Sequence, residues 1–107
     1  MKKPLSDCPV ETTLQLIGDK WKILIIRDLL DGTKRFNELK KSLTGITQKV
    51  LTSKLRDMED SGLLTRKIYP EVPPKVEYSL TNLGSSLFPI LETLAIWGDE
   101  YKKSILY

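Results

Sequence analysis

The sequence predicts an α+β fold made mostly of α-helices, with one small antiparallel β-sheet. Apolar residues recur at helical spacing in five segments, and two further short segments alternate in the manner of strands. Three prolines within five residues join those two strand-like segments. A chain of 107 residues has the usual size of one domain, so we expect a single domain over residues 1–107.

The first two predicted helices have clear start and stop signals. Pro9 occupies a first-turn position of a short helix that ends near Gly18, and Asp19 can cap the next helix. In that second helix, residues 20–30, apolar side chains cover most of the surface, which is typical of a helix buried on several sides. We therefore expect it to be the core helix, ended by Gly32.

The next two helices form a helix-turn-helix pattern. A minimal strand at 33–35 precedes a short basic helix, which Gly45 terminates. Thr47 can then cap a helix that reaches about Ser61 and has one narrow apolar stripe. That stripe consists of Leu51, Leu55 and Met58. Two helices separated by a tight glycine-containing turn, the second with one apolar face, are typical of DNA-binding helix-turn-helix units.

Two strands and a stiff loop follow and have the form of a wing over about residues 64–80. The strands are Leu64–Tyr69 and Lys75–Leu80, joined by a loop with Pro70, Pro73 and Pro74. Proline fixes the backbone and cannot donate a hydrogen bond, so the loop is extended and stiff. The whole pattern predicts a winged helix-turn-helix domain.

A final helix is predicted over about 81–107, with Thr81 as its cap and a kink at Pro89. Its apolar residues spread over about two faces, more than a domain of this size covers. Burial against a second copy of the chain is the economical explanation, and use in the core of a monomer is the alternative. The predicted dimerisation residues are Leu87, Phe88, Leu91, Leu94, Trp97 and Tyr101.

Charge is unevenly distributed along the chain. The net charge is only +3, but residues 34–75 contain ten Lys and Arg against five Asp and Glu. A local basic excess suits a phosphate backbone, although such runs also occur on solvated faces.

Several classes of protein are disfavoured by the composition. One cysteine and no histidine make a structural metal site improbable, and we expect no cofactor. The sequence has no glycine-rich phosphate loop and no nucleophile elbow, which argues against an enzyme. The longest aliphatic run, 23–26, is far below the roughly 18 residues of a membrane span. Lys2 and Lys3 precede no apolar stretch of a signal peptide, so we expect a cytoplasmic location.

The chain closely resembles the HxlR-type winged-helix regulators of bacteria and archaea over nearly its whole length. The matching stretches are Cys8-Pro9-Val10, Gly18-Asp19-Lys20-Trp21, Arg35-Phe36-Asn37-Glu38-Leu39, Gly45-Ile46-Thr47-Gln48-Lys49-Val50-Leu51-Thr52, Tyr69-Pro70-Glu71-Val72-Pro73-Pro74-Lys75-Val76-Glu77-Tyr78 and Leu80-Thr81-Asn82-Leu83-Gly84. The resemblance implies a homodimer, held mainly by the terminal helices. It also implies binding to a roughly two-fold symmetric operator in double-stranded DNA, with repression or activation of nearby genes.

The predicted DNA-contacting residues fall into two groups. The polar face of the fourth helix, opposite its apolar stripe, suits base edges in a major groove. Basic residues elsewhere suit phosphates, and the residue at the exit of the wing loop suits a minor groove or its phosphates. The first group is Gln48, Lys49, Thr52, Ser53 and Arg56, and the second is Arg35, Lys40, Lys41 and Lys75, with Thr47 as a further DNA-binding residue at the start of the fourth helix.

Three questions stay open from the sequence. Some members of the resembling family sense oxidants or electrophiles through a cysteine at the place of Cys8, and a thiol at a helix amino terminus is often reactive. The other interpretation of Cys8 is a small buried hydrophobe. A winged helix that binds protein instead of DNA is the alternative function. Whether a small-molecule effector binds is unknown.

Overall fold

The computed structural model describes residues 4–106, which form six helices and three strands. Lys2 and Lys3, which entered the signal-peptide argument, lie outside this range. The elements are α1 (Pro9–Ile17), α2 (Lys20–Leu30), β1 (Lys34–Arg35), α3 (Phe36–Ser42), α4 (Gln48–Asp60), β2 (Leu64–Tyr69), β3 (Lys75–Leu80), α5 (Asn82–Ser85) and α6 (Phe88–Leu106). None of the helices in this range combines the length and apolar character that crossing a membrane requires.

The core forms around α2, as the sequence predicts. The Asp19 carboxylate accepts a hydrogen bond from the backbone N–H of Lys22 at 2.8 Å and so caps the helix. Ile25 and Ile26 are completely buried, and α1, α3, α4 and α6 all pack against α2. The buried side chains that complete the core are Ile17, Leu29, Leu39, Leu43, Ile46, Leu51, Leu55, Met58, Leu63, Leu64 and Tyr78.

The three strands form one antiparallel sheet in the order β1-β3-β2. The predicted bounds of β2 and β3 are confirmed, and their register pairs Leu64 with Leu80 and Tyr69 with Lys75. Directly paired residues project on the same side of a sheet. Leu64, Leu80 and Tyr78 therefore lie on the side of the core, and the alternate residues lie on the opposite side.

Two chain reversals position the helix-turn-helix. Gly45, at φ 91°, ends the turn after α3, and Gly62, at φ 80°, follows α4. Both backbone conformations are strained for other residues, which explains glycine at these two places. The caps predicted at Thr47 and the end of α4 are confirmed to within one residue.

The final helix differs from the prediction. It is divided into α5 and α6, and Thr81 caps only the four-residue α5, where its hydroxyl oxygen accepts from the Gly84 N–H at 3.0 Å. The interruption predicted at Pro89 lies instead at Ser86 and Leu87, between α5 and α6, and Pro89 itself is the second residue of α6. In the first turn of a helix the missing N–H of proline loses no bond, so Pro89 is accommodated at the start of α6.

Candidate nucleic-acid interface

The fourth helix is fixed to the core by its apolar stripe. Leu51 and Met58 are completely buried and Leu55 almost so. The Thr47 hydroxyl oxygen accepts from the backbone N–H of Val50 at 3.1 Å, which fixes the first turn. Since one face of α4 is held inward over its whole length, the opposite face is presented outward in one defined orientation.

The outward face carries the residues predicted to read bases. Gln48, Lys49, Ser53 and Arg56 are exposed, and Thr52 is half-buried. All five line one concave surface, which Asp57, Glu59 and Asp60 continue toward the end of the helix. Thr47, the capping residue, is exposed at the start of α4 but does not line this surface.

Arg66 of β2 lines the same concave surface. The sequence alone gives Arg66 no place in the site, because its position beside α4 depends on the packing of β2 against that helix. The alternation of side chains along β2 indicates which way Arg66 points. Arg66 pairs with the buried Tyr78 and therefore projects to the core side of the sheet. Its guanidinium adds one more cation to the surface.

Ion pairs reduce the negative charge at the far end of α4. Asp57 lies 3.7 Å from the Lys22 ammonium, and Glu59 lies 3.8 Å from the Arg66 guanidinium. The carboxylates there are thus partly neutralised. Lys49 in the first turn and Arg56 in the third turn of α4 precede them along the helix. A polyanion is therefore attracted most strongly to the part of the helix before Asp57.

A third ion pair connects α4 to the start of α2. The Lys54 ammonium lies 3.0 Å from the Asp19 carboxylate. Burial raises the pKa of Asp19, but its hydrogen bond to Lys22 and its contact with Lys54 lower it more, and the net pKa lies below its ordinary value. The carboxylate is therefore charged at neutral pH and holds both helices.

The residues predicted to contact phosphates are separated from this surface. Lys40 and Lys41 are exposed in the last turn of α3. Arg35 is exposed at the start of α3, where its backbone N–H donates to Glu38 Oε1 at 2.8 Å. Its side chain lines a different cleft, between α3 and the wing loop, together with Asn37, Pro73 and Lys75.

Lys75 lies where the wing loop joins β3 and not at the tip of the loop. Its ammonium is 3.6 Å from Glu77 Oε2 and 4.5 Å from the centre of the Tyr69 ring. Its charge is thus already partly compensated within the chain. The loop residues beyond it, 70–74, contain no Lys or Arg.

The predicted dimerisation residues divide into two sets. Leu87 and Leu91 are half-buried and pack against the core of their own chain. The others are exposed, and Trp97 and Tyr101 stack with ring centres 5.4 Å apart. Further exposed apolar residues on or just before α1 and on α6 are Leu5, Val10, Leu14, Ile90, Ile96, Ile105 and Leu106. An apolar surface of this extent on α1 and α6 is typical of an interaction site.

Cys8 is exposed, so its interpretation as a buried hydrophobe is wrong for the chain by itself. It occupies the capping position of α1, and its backbone N–H donates to Ser6 Oγ at 3.0 Å. Ser6 Oγ in turn donates to Glu11 at 2.6 Å. Within residues 4–106, no group of three or more His, Cys, Asp or Glu side chains is arranged to hold a metal ion.

A polar helix presented by a helix-turn-helix, beside a β-hairpin, defines a winged helix-turn-helix DNA-binding protein. The family model of the HxlR-like helix-turn-helix matches residues 16–105, and the chain belongs to this family. It is therefore a transcriptional regulator and not an enzyme.

Relatives and solved structures agree with this assignment. The chain is 51% identical over 98 residues to the uncharacterized HTH-type transcriptional regulator YdeP of Bacillus subtilis (strain 168), covering 92% of this chain and 77% of YdeP. It is similar to the redox regulator HypR in its oxidized form, with TM-score 0.82 and 48% identity over 87% of this chain and 96% of HypR. The reduced form of HypR gives TM-score 0.85 and 46% identity over 92% and 97% of the two chains.

Proposed function

We propose that the protein binds a roughly two-fold symmetric operator as a homodimer and represses or activates the adjacent genes. The observation that carries the proposal is the exposed polar face of α4, held outward by the buried stripe of Leu51, Leu55 and Met58. Its cations and hydrogen-bonding side chains have the chemistry of major-groove readers. A cytoplasmic location is part of this proposal, since the operator is chromosomal DNA.

Each side chain on α4 has a partner chemistry in the groove. Gln48 suits adenine, Lys49 and Arg56 suit guanine, and the hydroxyls of Thr52 and Ser53 suit either acceptors or donors. Phosphate contacts by Thr47 at the helix start, by Arg35, Lys40 and Lys41 around α3, and by Lys75 on the wing fix the register without reading sequence.

Selection of duplexes from a random pool tests the operator proposal. The protein is incubated with the pool and the bound duplexes are sequenced over several rounds. We expect an inverted repeat whose half-sites lie about one helical turn apart, because a two-fold dimer presents two α4 helices. Enrichment of isolated half-sites, or no enrichment at all, contradicts the proposal.

The homodimer is proposed to form through the apolar side of α6 together with α1. Leu94, Trp97 and Tyr101 recur at helical spacing on one side of α6 and are half or more exposed. An exposed stripe of this length is stable in water when a second copy covers it.

Two variants of α6 test the interface. Leu94→Asp places a charge in the stripe, and Ile96→Asp makes the same change on the opposite side of the helix, where Ile96 is 56% exposed. Light scattering should give a dimer for the wild type and Ile96→Asp, and a monomer for Leu94→Asp at micromolar concentration. A wild-type monomer, or a dimeric Leu94→Asp, overturns this interface.

Thiol sensing through Cys8 is the second part of the proposal. The thiol is exposed at the start of α1, and the chain is similar to the redox regulator HypR. Since Cys8 is the one cysteine of the chain, it joins either the Cys8 of a second copy or a small thiol. In the first case two thiols lose two protons and two electrons to an oxidant such as diamide, which becomes the hydrazine.

Oxidation of the purified protein tests this part. Diamide should weaken operator binding by the wild type, a reductant should restore it, and Cys8→Ser should bind DNA normally but ignore the oxidant. Non-reducing electrophoresis and mass measurement distinguish the linked dimer from a mixed disulfide. Full operator affinity after complete modification of the thiol rules out sensing by Cys8.

A further inference from the structure

Five residues on the outer side of the sheet form one charged group, which we name the wing-base cluster. Its members are Arg35, Lys67, Tyr69, Lys75 and Glu77. The strand register brings them together, since Glu77 of β3 is paired with Arg35 on one side and Lys67 on the other, and Tyr69 is paired with Lys75. All five therefore project away from the core.

Tyr69 and Glu77 form the centre of the cluster. The Tyr69 hydroxyl donates to Glu77 Oε1 at 2.8 Å, and the Lys75 ammonium lies 3.6 Å from Glu77 Oε2. The ring of Tyr69 is contacted by two ammonium groups, that of Lys75 at 4.5 Å and that of Lys67 at 4.9 Å. One tyrosine thus positions a carboxylate and two cations.

The cluster has more positive than negative charge. Arg35, Lys67 and Lys75 contribute three cations against the carboxylate of Glu77. Among residues 4–106, no carboxylate lies at ion-pair distance from the Arg35 or Lys67 side chain. The Tyr69 hydroxyl lowers the pKa of Glu77, burial raises it, and Lys75 and Arg35 lower it further, with a net pKa below the ordinary value. The carboxylate is therefore ionised at neutral pH.

The cluster borders the cleft between α3 and the wing loop. Arg35 and Lys75 line the cleft between α3 and the wing loop, where Glu71 is the one acidic residue. Lys67 follows Arg66 of the α4 surface but projects to the opposite side of the sheet, with Glu77. A phosphate that enters the cleft between α3 and the wing loop therefore meets Arg35 and Lys75 together.

We propose that Glu77 limits the affinity of the wing-base cluster for the phosphate backbone of DNA by competing with phosphate for Lys75. This inference rests on the proposed DNA-binding function. Tyr69 is the positioning residue that holds Glu77 against Lys75. Because phosphates are common to all sequences, Glu77 sets overall affinity and its salt dependence but not base preference.

Removal of the carboxylate tests the inference. Binding of a random-sequence duplex is measured by fluorescence anisotropy at several salt concentrations for the wild type, Glu77→Gln and Lys75→Gln. Glu92→Gln is the matched control, since it removes one exposed carboxylate on α6. We expect Glu77→Gln to bind about three- to tenfold more tightly, with the logarithmic salt slope steeper by about one, and Lys75→Gln to change both quantities in the opposite direction.

The outcomes separate the two levels of the proposal. If the wild type binds no duplex, the proposed function fails, and this inference fails with it. If the wild type binds but Glu77→Gln matches Glu92→Gln, or binds more weakly, only the role of Glu77 is overturned. Tyr69→Phe should also raise the pKa of Glu77 in an NMR titration. An unchanged pKa contradicts the positioning role of Tyr69.

Discussion

Substitution of Arg56 by alanine is the most direct test of the proposed role of α4 in reading DNA. Arg56 is exposed, and among residues 4–106 it forms no ion pair. Alanine has the higher helix propensity, so the free energy of unfolding should change by less than about 0.5 kcal/mol. Any larger loss of DNA binding is therefore a loss of contact and not of folding.

The expected loss follows from the chemistry of the guanidinium. A bidentate contact to guanine contributes about 1 to 3 kcal/mol, so Arg56→Ala should weaken operator binding by roughly 5- to 150-fold and relax preference at one base pair. Gln48→Ala should give a loss in the same range at another position. Arg56→Lys keeps the charge but loses the paired hydrogen-bond donors of the guanidinium. It should therefore relax the same base preference, with a smaller loss of affinity for unrelated duplexes than Arg56→Ala.

Lys41→Ala is the control that separates phosphate binding from base recognition. Lys41 is exposed on α3, away from the α4 surface, and its proposed partner is a phosphate. Its loss should weaken operator and scrambled duplexes about equally and reduce the salt slope by about one. The assay is a set of titrations over both duplexes at several salt concentrations. Equal losses on both duplexes for Arg56→Ala, Gln48→Ala and Lys41→Ala refute the division of roles.

Two further predictions concern stability. Gly84→Ala should cost about 1 to 3 kcal/mol in thermal unfolding, since the new Cβ meets the backbone carbonyl oxygen of Leu63, whereas Gly98→Ala, with open space around it, should leave stability equal or higher. A Gly84→Ala protein as stable as Gly98→Ala refutes the packing argument. Asp19 has a folded pKa below its ordinary value of 3.8, so its stabilising effect is complete above that pH and is lost as pH falls through the folded pKa. The free energy of unfolding of Asp19→Asn should therefore fall less than that of the wild type as the pH is lowered. Identical pH profiles for the two proteins contradict this prediction.

Local signals in the sequence predicted most of the helices and strands. Asp19 and Thr47 were identified as caps because their short side chains satisfy free backbone N–H groups, and both contacts are present. The strands β2 and β3 were predicted correctly because prolines mark the loop between them. Pro89 was misinterpreted, since a proline marks either the start of a helix or its interruption, and spacing alone does not distinguish them.

The parts of the site that were missed depend on contacts between elements. Arg66 reaches the α4 surface through the packing of β2 against α4, and Tyr69 meets Glu77 only in one strand register. Helical periodicity placed Leu87 among the residues of the apolar stripe but did not show that its own core covers it. The exposure of Cys8 likewise depends on the local fold of the segment before α1.

The helix α2 connects the proposed dimer surface with the proposed reading helix α4. This helix packs against α1 and α6, which carry the apolar surface, and against α4, which carries the proposed reading residues. The Lys22–Asp57 and Lys54–Asp19 pairs reinforce its contact with α4. Under the proposed Cys8 mechanism, a modification therefore moves each α4 together with its own core and changes the spacing between the two copies. Half-sites about one helical turn apart tolerate little change in that spacing, so a small rotation of the protomers is sufficient to release the operator.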